Sequence, residues 1–454
     1  MALLFRWLKR LGLFFLALIV LYAVGRPTQI WLDGFYSGVR EPYLQMMSAH
    51  SVTLRWQSKE SNIGVVRYGE QAKALNKTIK ENSSVEEHEI RLTELKPATK
   101  YFYSVGSETE EKFKGQSFWF KTAPEIQANK NKPVRFWVTG DQGYANPIQD
   151  QVRDAMLDWV KQHPRTIANN PQLDFWVTTG DNAYPSGSNK QFQAGFFEPY
   201  KSILRNTPVW PAYGNHDARR WVFFDLFTFP TKAQSGGIAS GTEHYYSFDY
   251  ANVHIVMLDT EKSDLDIDGD MVTWLKKDLS ATKQQWLIVF SHHPSYTKGS
   301  HDSDNKRDSR ARMTKVRENI VPLLEKAGAD VVLSGHSHMY ERSELINCHY
   351  GDSSTFKSAM IKKKAVNNQY QKKENNISAN SGTIYTVIGS SSKVDDGPLD
   401  HPAMPYSLKE AGSMVFDINN NELKAYFINK EGKVKDQFEI VKGVAAGSDS
   451  SLCR

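Results

Sequence analysis

Cysteine is almost absent from this chain: Cys348 and Cys453 are the only two in 454 residues. Two cysteines cannot build a disulfide framework, although they could form one bridge in an oxidising compartment. Neither has a neighbour at metal-ligand spacing, which argues against thiolate metal binding. A dominant charge is also lacking. The 56 Lys and Arg against 51 Asp and Glu leave +5, too dilute over this length to imply nucleic acid and enough only for a modest attraction to anions. The apolar run from Leu11 to Gly25 has fifteen residues, short of the roughly 20 that a spanning helix needs comfortably. Arg6, Lys9 and Arg10 precede it, and Ala23 and Gly25 offer a small-x-small cleavage site. Residues 1–25 therefore read as an export signal, either cleaved or kept as a membrane anchor. Both readings place the body outside, periplasmic or secreted, with the basic flank inside.

The remaining length has room for two or three domains. Between about Tyr36 and Pro124 short period-two runs recur, as in SVTLRWQS, GVVRYGE, HEIRLTEL, KYFYSVGS and SFWFKTAP, and they predict a β-sandwich. LKPATKYFY gives residues 36–124 a resemblance to fibronectin type III modules. No chemistry-bearing cluster lies there, so this domain reads as a spacer or packing partner. Residues 125–133 are polar and bracketed by prolines, as in a linker. Beyond them VRFWVTGD, LDFWVTTGD, WLIVFSHH and ADVVLSGH are apolar strands, each ending in Gly, Asp or His. Helices are expected from near Pro147, with Ile148, Val152, Met156, Trp159 and Val160 on one face, and from about Arg310 to Ala327 before Gly328. The alternation predicts a layered α/β domain whose ligands gather outside the carboxyl ends of strands. Its core spans 134–345 and its C-terminal part 346–441, with a polar, solvated insertion at 352–381 and a tail at 442–454. Asn76, Asn82 and Asn376 open glycosylation triplets that matter only in a glycosylating host.

Five motifs place a hard oxygen or an imidazole just past an apolar strand. They are GDQGY with Asp141, GDNAY with Asp181 and Tyr184, GNHD with Asn215 and His216, SHHP with His292, and GHSH with His336 and His338. Each is weak singly, since a strand-ending Asp is often a turn former and a lone His usually structural.

In this order the set resembles the calcineurin-like metallophosphoesterases, and Tyr184 narrows the resemblance to purple acid phosphatases, over about Tyr36 to Val441. The resemblance implies an α+β fold: a fibronectin type III-like β-sandwich, then a catalytic domain of two mixed β-sheets flanked by helices. It implies that Asp141, Tyr184 and His338 hold a trivalent iron, that Asn215, His292 and His336 hold a divalent ion (zinc, manganese or iron(II)), and that Asp181 bridges them. The implied activity is hydrolysis of small phosphate monoesters by attack of a metal-bound hydroxide at this Fe(III)-M(II) pair, with an optimum on the acid side. Two further readings stand beside it: a phosphodiesterase of the same superfamily, and an exported binding protein with a vestigial metal site.

The residue types suit that task on their own terms. Two carboxylates and a phenolate set three negative charges against five positive ones, which leaves a site that attracts phosphate. Phenolate is a hard anionic ligand that favours a trivalent metal. The resemblance selects His292 over His293, because Pro294 stands two positions after it. His216 and His301 are the candidates for contacting phosphoryl oxygens, one of them protonating the departing alkoxide. Asp217 stands where the family commonly has Glu, which leaves the orientation of His216 open. His244 and His254 read as framework histidines, Tyr340, Glu341 and Arg342 as supports behind the metal histidines, and His401 as a residue bordering the entrance.

Overall fold

The computed structural model describes residues 7, 15, 36, 38–126, 133–165 and 173–444. The expected signal or anchor therefore falls almost wholly outside the described residues, as does most of the linker. Among the described residues no helix is long and apolar enough to cross a membrane.

The alternating N-terminal text folds into two antiparallel sheets. One contains Arg40–Gln45, Val52–Asn62 and Val85–Leu92; the other contains Lys77–Lys80, Gly64–Gly69, Lys100–Ser107, Glu111–Phe113 and Trp119–Lys121. Period two puts Leu54 and Trp56 of the first and Tyr103, Val105 and Phe120 of the second into one core. That core continues into the next domain. Tyr43 donates its hydroxyl to the Leu226 carbonyl at 2.6 Å, and Tyr103 donates to the Arg205 carbonyl at 2.7 Å. Arg40, fully buried, bonds Glu87 within the sandwich and Asn189 and Gln193 outside it. The sandwich is thus a packing partner, not a spacer.

The second domain has two seven-stranded mixed sheets packed face to face. The first runs Val209–Pro211, Phe175–Thr178, Val134–Thr139, Gly412–Asn419, Glu422–Asn429, Val434–Lys442, Gln369–Lys372. The second runs Tyr246–Tyr250, Val253–Leu258, Trp286–Ser291, Val331–Ser334, Ile384–Ile388, Tyr340–Arg342, Tyr406–Leu408. Strands buried on both faces explain the continuous apolar runs. Between the sheets, Phe136 stacks on Phe175 and on Phe416 with centroids 4.8 Å apart, and Trp210 stacks on Phe248 at 3.9 Å. The helix Pro147–Gln162 covers the first sheet. Asn146 caps it, accepting from Gln149 N. Its buried face carries Gln149 in place of the expected Ile148, because the Gln149 amide bonds the Gly195 carbonyl. Asp270–Ala281 and Arg312–Ala327 cover the second sheet.

Three expectations need correction. The second predicted helix starts at Arg312, not Arg310, since Ser309, Arg310 and Ala311 are all left-handed. Inside it, Val316–Ile320 forms a π turn directly ahead of Pro322, whose missing N–H breaks the ordinary ladder. The insertion 352–381 is not wholly solvated, for Gln369–Lys372 pairs in parallel with Val434–Lys442 and buries Tyr370 and Lys372. Nor does Lys442 belong to a tail. It ends that strand fully buried, paired with Asp330 at 2.7 Å. Cys348 is disulfide-bonded; Cys453 lies outside the described residues.

Candidate metal centre

The parallel strands of both sheets point their carboxyl ends at one place. Asp141, Asp181 and His336 follow their strands in left-handed conformation, with φ of 55°, 53° and 68°. That conformation is strained by about 1 kcal/mol or more for non-glycine residues and recurs where function fixes it. The glycines before Asp141, Asp181, Asn215 and His336 let the other candidates approach. A Cβ on Gly214 would lie 2.2 Å from Asp181 N, and one on Gly335 would lie 2.4 Å from Asp141 Oδ2. All seven candidate ligand residues, scattered from Asp141 to His338 in the chain, are brought together.

Their polar atoms form two adjoining groups. In the first, Tyr184 OH lies 2.9 Å from Asp141 Oδ1, 3.0 Å from Asp181 Oδ2 and 3.2 Å from His338 Nε2. In the second, Asn215 Oδ1 lies 2.9 Å from His292 Nε2 and 3.0 Å from His336 Nδ1, and these two nitrogens are 3.2 Å apart. Asp181 Oδ2 joins the groups, 3.6 Å from His292 Nε2. One ligand atom each from Asp141, Asp181 and His292 falls within a 4.8 Å cluster.

The outward nitrogens decide what these atoms present. His292 Nδ1 donates to the Thr179 carbonyl at 2.9 Å, and His338 Nδ1 donates to Asp395 at 2.6 Å. His336 Nε2 meets Ser309 Oγ at 2.6 Å, a hydroxyl that donates onward to Asp308. Each ring therefore turns a lone pair inward. With the rings neutral, seven atoms, the Asp181 oxygen common to both groups, crowd their lone pairs together with one phenolic proton among them. A cation in each group would relieve that repulsion, and oxygen with imidazole ligands suits hard or borderline metals. The residues present thus fit two metal ions.

Electrostatics show a centre that draws positive charge. Burial opposes charge on His292 and His338, yet Asp181 and Asp141 raise the pKa of the first, and Asp141 and Asp395 that of the second, so protons and metal ions compete for these rings. Burial, with Asp141 and Asp181 alongside, pushes the Tyr184 phenol well above its ordinary range, so its deprotonation calls for a strong cationic partner. Burial among His293, His292, His301 and His338 holds His336 well below its usual value, and therefore neutral. Burial opposes charge on Asp141, yet the neighbouring His338 and His292 outweigh it and lower its pKa.

His216 and His301 flank the groups on opposite sides. His216 packs on Tyr184 at 4.3 Å, with Nδ1 2.7 Å from the Pro185 carbonyl and Nε2 3.9 Å from Asp181 Oδ2. His301 stacks on His336 at 3.8 Å, with Nδ1 2.9 Å from Asp308. Asp217 turns inward and accepts from Gly214 N, Asn182 N and Asn182 Nδ2. It steadies the ligand loops and makes no bond to the His216 ring. His293 stands behind the ligands, 2.9 Å from Thr260 Oγ1. His254 lies buried between Asp249 and Asp278, and His244 bonds Asp259. His401 does not border an entrance: it is buried against Tyr296 and His349, where burial lowers its pKa to about 3. Glu341 holds Thr297 and Lys298, while Tyr340 and Arg342 anchor to Asp436.

Sequence reading missed four neighbours of the centre. Asp395 and Ser309 orient ligand histidines from loops without any motif. Arg219, whose Nη2 lies 3.3 Å from His216 Nε2, is a single charge in a polar turn. Tyr144, stacked on Tyr184 at 3.8 Å, had a signal in the last letter of GDQGY.

Comparison with known proteins matches both domains of the chain. The family described as calcineurin-like phosphoesterase matches residues 134–340, and the purple acid phosphatase N-terminal domain matches 40–122. Purple acid phosphatase 21 of Arabidopsis thaliana is 29% identical over 273 residues, 57% of this chain and 54% of its own length. Purple acid phosphatase 1 of Ipomoea batatas is 24% identical over 350 residues, 73% of this chain and 65% of its own. The chain spans about half the length of most curated relatives it matches. The solved purple acid phosphatase from yellow lupin (Lupinus luteus) seeds shares the fold with a TM-score of 0.67 at 18% identity, covering 88% of this chain and 74% of that one.

Proposed function

Because the chain joins a purple acid phosphatase N-terminal domain to a calcineurin-like phosphoesterase domain and so belongs to that family, we propose that it hydrolyses small phosphate monoesters at a two-metal centre. The observation that carries this reading is the pair of lone-pair clusters sharing Asp181 Oδ2. Asp141, Tyr184 and His338 would hold trivalent iron, Asn215, His292 and His336 would hold zinc, manganese or iron(II), and Asp181 would serve both. When bound, the pair supplies Lewis acidity and an acidified water for in-line attack on phosphorus.

The chain's own residues bind and orient. Arg219 and His216 draw phosphate oxygens to the Tyr184 side of the centre. His301, with Nδ1 tied to Asp308, presents its other nitrogen as proton donor to the departing alkoxide. Export rests on the basic and apolar N-terminal text together with a disulfide at Cys348, since such bonds persist in oxidising compartments.

The test is metal analysis combined with phosphate release from aryl monophosphates and bis-aryl diesters. Expected are two metals per chain, faster monoester turnover, and a broad visible absorption that Tyr184→Phe abolishes. Metal-replete protein that leaves monoesters intact would refute the activity.

A further inference from the structure

Beside the seven ligand candidates lies a second cluster, His301, Asp308 and His336. Its connections are directional. His336 turns Nδ1 toward Asn215 and His292, so its Nε2–H donates to Ser309 Oγ at 2.6 Å. Ser309 in turn donates to Asp308 Oδ1 at 2.8 Å, and the same oxygen accepts from His301 Nδ1 at 2.9 Å. Asp308 Oδ2 accepts from Asp302 N at 2.9 Å. Every donor finds an acceptor, which leaves no lone pairs massed as they are in the metal groups. The backbone is specialised as well. Ser309, Arg310 and Ala311 take φ of 48°, 55° and 60° without a glycine among them. Arg310 and Arg312 both approach Glu261, at 3.6 Å, and so help pin the turn. An ordinary helix start here would move the Ser309 hydroxyl off the imidazole.

We propose that Asp308 and Ser309 form a carboxylate–hydroxyl relay that fixes the metal-facing lone pair of His336 and, from the same oxygen, orients His301. Asp308 and Ser309 are positioning residues, and the cluster is not a third ion site. Retention of the divalent metal and delivery of the leaving-group proton then depend on one strained turn. The inference rests on the two-metal reading above. Carboxylates behind ligand histidines commonly set affinity in this way, with their loss costing roughly 10- to 100-fold; here a hydroxyl is interposed.

The test compares wild type, Ser309→Ala, Ser309→Gly and Asp308→Asn by elemental analysis against graded chelator, visible absorption and melting temperature. Alanine removes only the hydroxyl, and glycine, which also loses the Cβ, fits the left-handed backbone without strain. Expected is that both Ser309 variants keep the iron and its absorption band while holding the divalent ion roughly 10- to 100-fold more weakly. Asp308→Asn should do the same and in addition lower kcat on alkyl phosphates more than on aryl phosphates. Ser309→Gly with wild-type affinity, or three metals per wild-type chain, overturns the relay. Wild type that binds no metal refutes the two-metal reading instead, so the two failures are distinguishable.

Discussion

At the scale of single residues, the two flanking histidines and Arg219 have separable signatures. His301→Ala should reduce kcat about 100-fold or more on alkyl phosphates. The loss should be much smaller on aryl phosphates with acidic phenols, whose leaving groups need little protonation; equal losses on both would remove His301 from the donor role. Arg219 lies on the solvent side of His216, and Arg219→Ala should raise KM roughly 3- to 10-fold while changing kcat less, as expected for a group that binds ground state and transition state alike. Gly214 is a steric requirement. Even the methyl of Gly214→Ala meets Asp181 N at 2.2 Å, so this variant should lose metal while remaining folded by circular dichroism.

At the scale of elements, the two sheets are tied by a buried charge cluster that no motif announces. Asp330, just before the strand Val331–Ser334 of the second sheet, accepts from Lys372 at 2.8 Å, on the edge strand of the first, and from Lys442 at 2.7 Å, on the strand beside that edge. All three side chains are buried, and burial lowers the Lys442 pKa to about 8 despite Asp330. Asp330→Asn would leave two buried ammonium groups facing an uncharged amide, so a loss of about 3–5 kcal/mol is expected in denaturant melts. A loss below about 1 kcal/mol would mean that the lysines find water instead. This cluster is also why 369–372 is a strand and not solvated loop: Lys372, polar in the text, is an interior cation in the fold.

At the scale of the whole molecule, the sandwich and the catalytic domain share one core. A chain truncated to begin at Pro133 would bare Phe197, Leu226 and Phe227, which pack with Tyr43, and should aggregate; soluble, monomeric truncated protein would show the interface to be dispensable. Stability should also depend on pH with an assignable sign. His254 is buried, yet Asp249 and Asp278 outweigh burial and raise its pKa to about 9 from 6.5. Its contribution is full below pH 6.5 and lost as pH rises through about 9, a loss on the order of 3 kcal/mol. His349 and His401 act the other way. Burial depresses them to about 4 and about 3, so their contribution is present above pH 6.5 and lost as pH falls through those values. Glu325 and Glu341, raised by burial to about 7, gain stability toward acid and offset that loss. The melting temperature should therefore fall between about pH 6.5 and 8, where His254 and Asp217, the latter raised by burial to about 8, both lose stability; above about pH 8 the depressed Lys442 offsets the loss, and His254→Asn should flatten the fall.

The text alone determined the order of the two domains, most strands that lead to the centre, and which seven residues are candidates to line it. These are legible because strand burial writes itself as apolar runs and because each candidate ligand sits within about six residues of the end of one. Tertiary structure alone decided which atoms of those residues face inward. That choice is made by Thr179, Asp395 and Ser309, whose contacts reach across separate loops and leave no periodic trace. It also decided that Lys372 and Lys442 are interior and that Ser309 to Ala311 turn left-handed, since burial and strain are set by neighbours distant in the chain, not by local propensity.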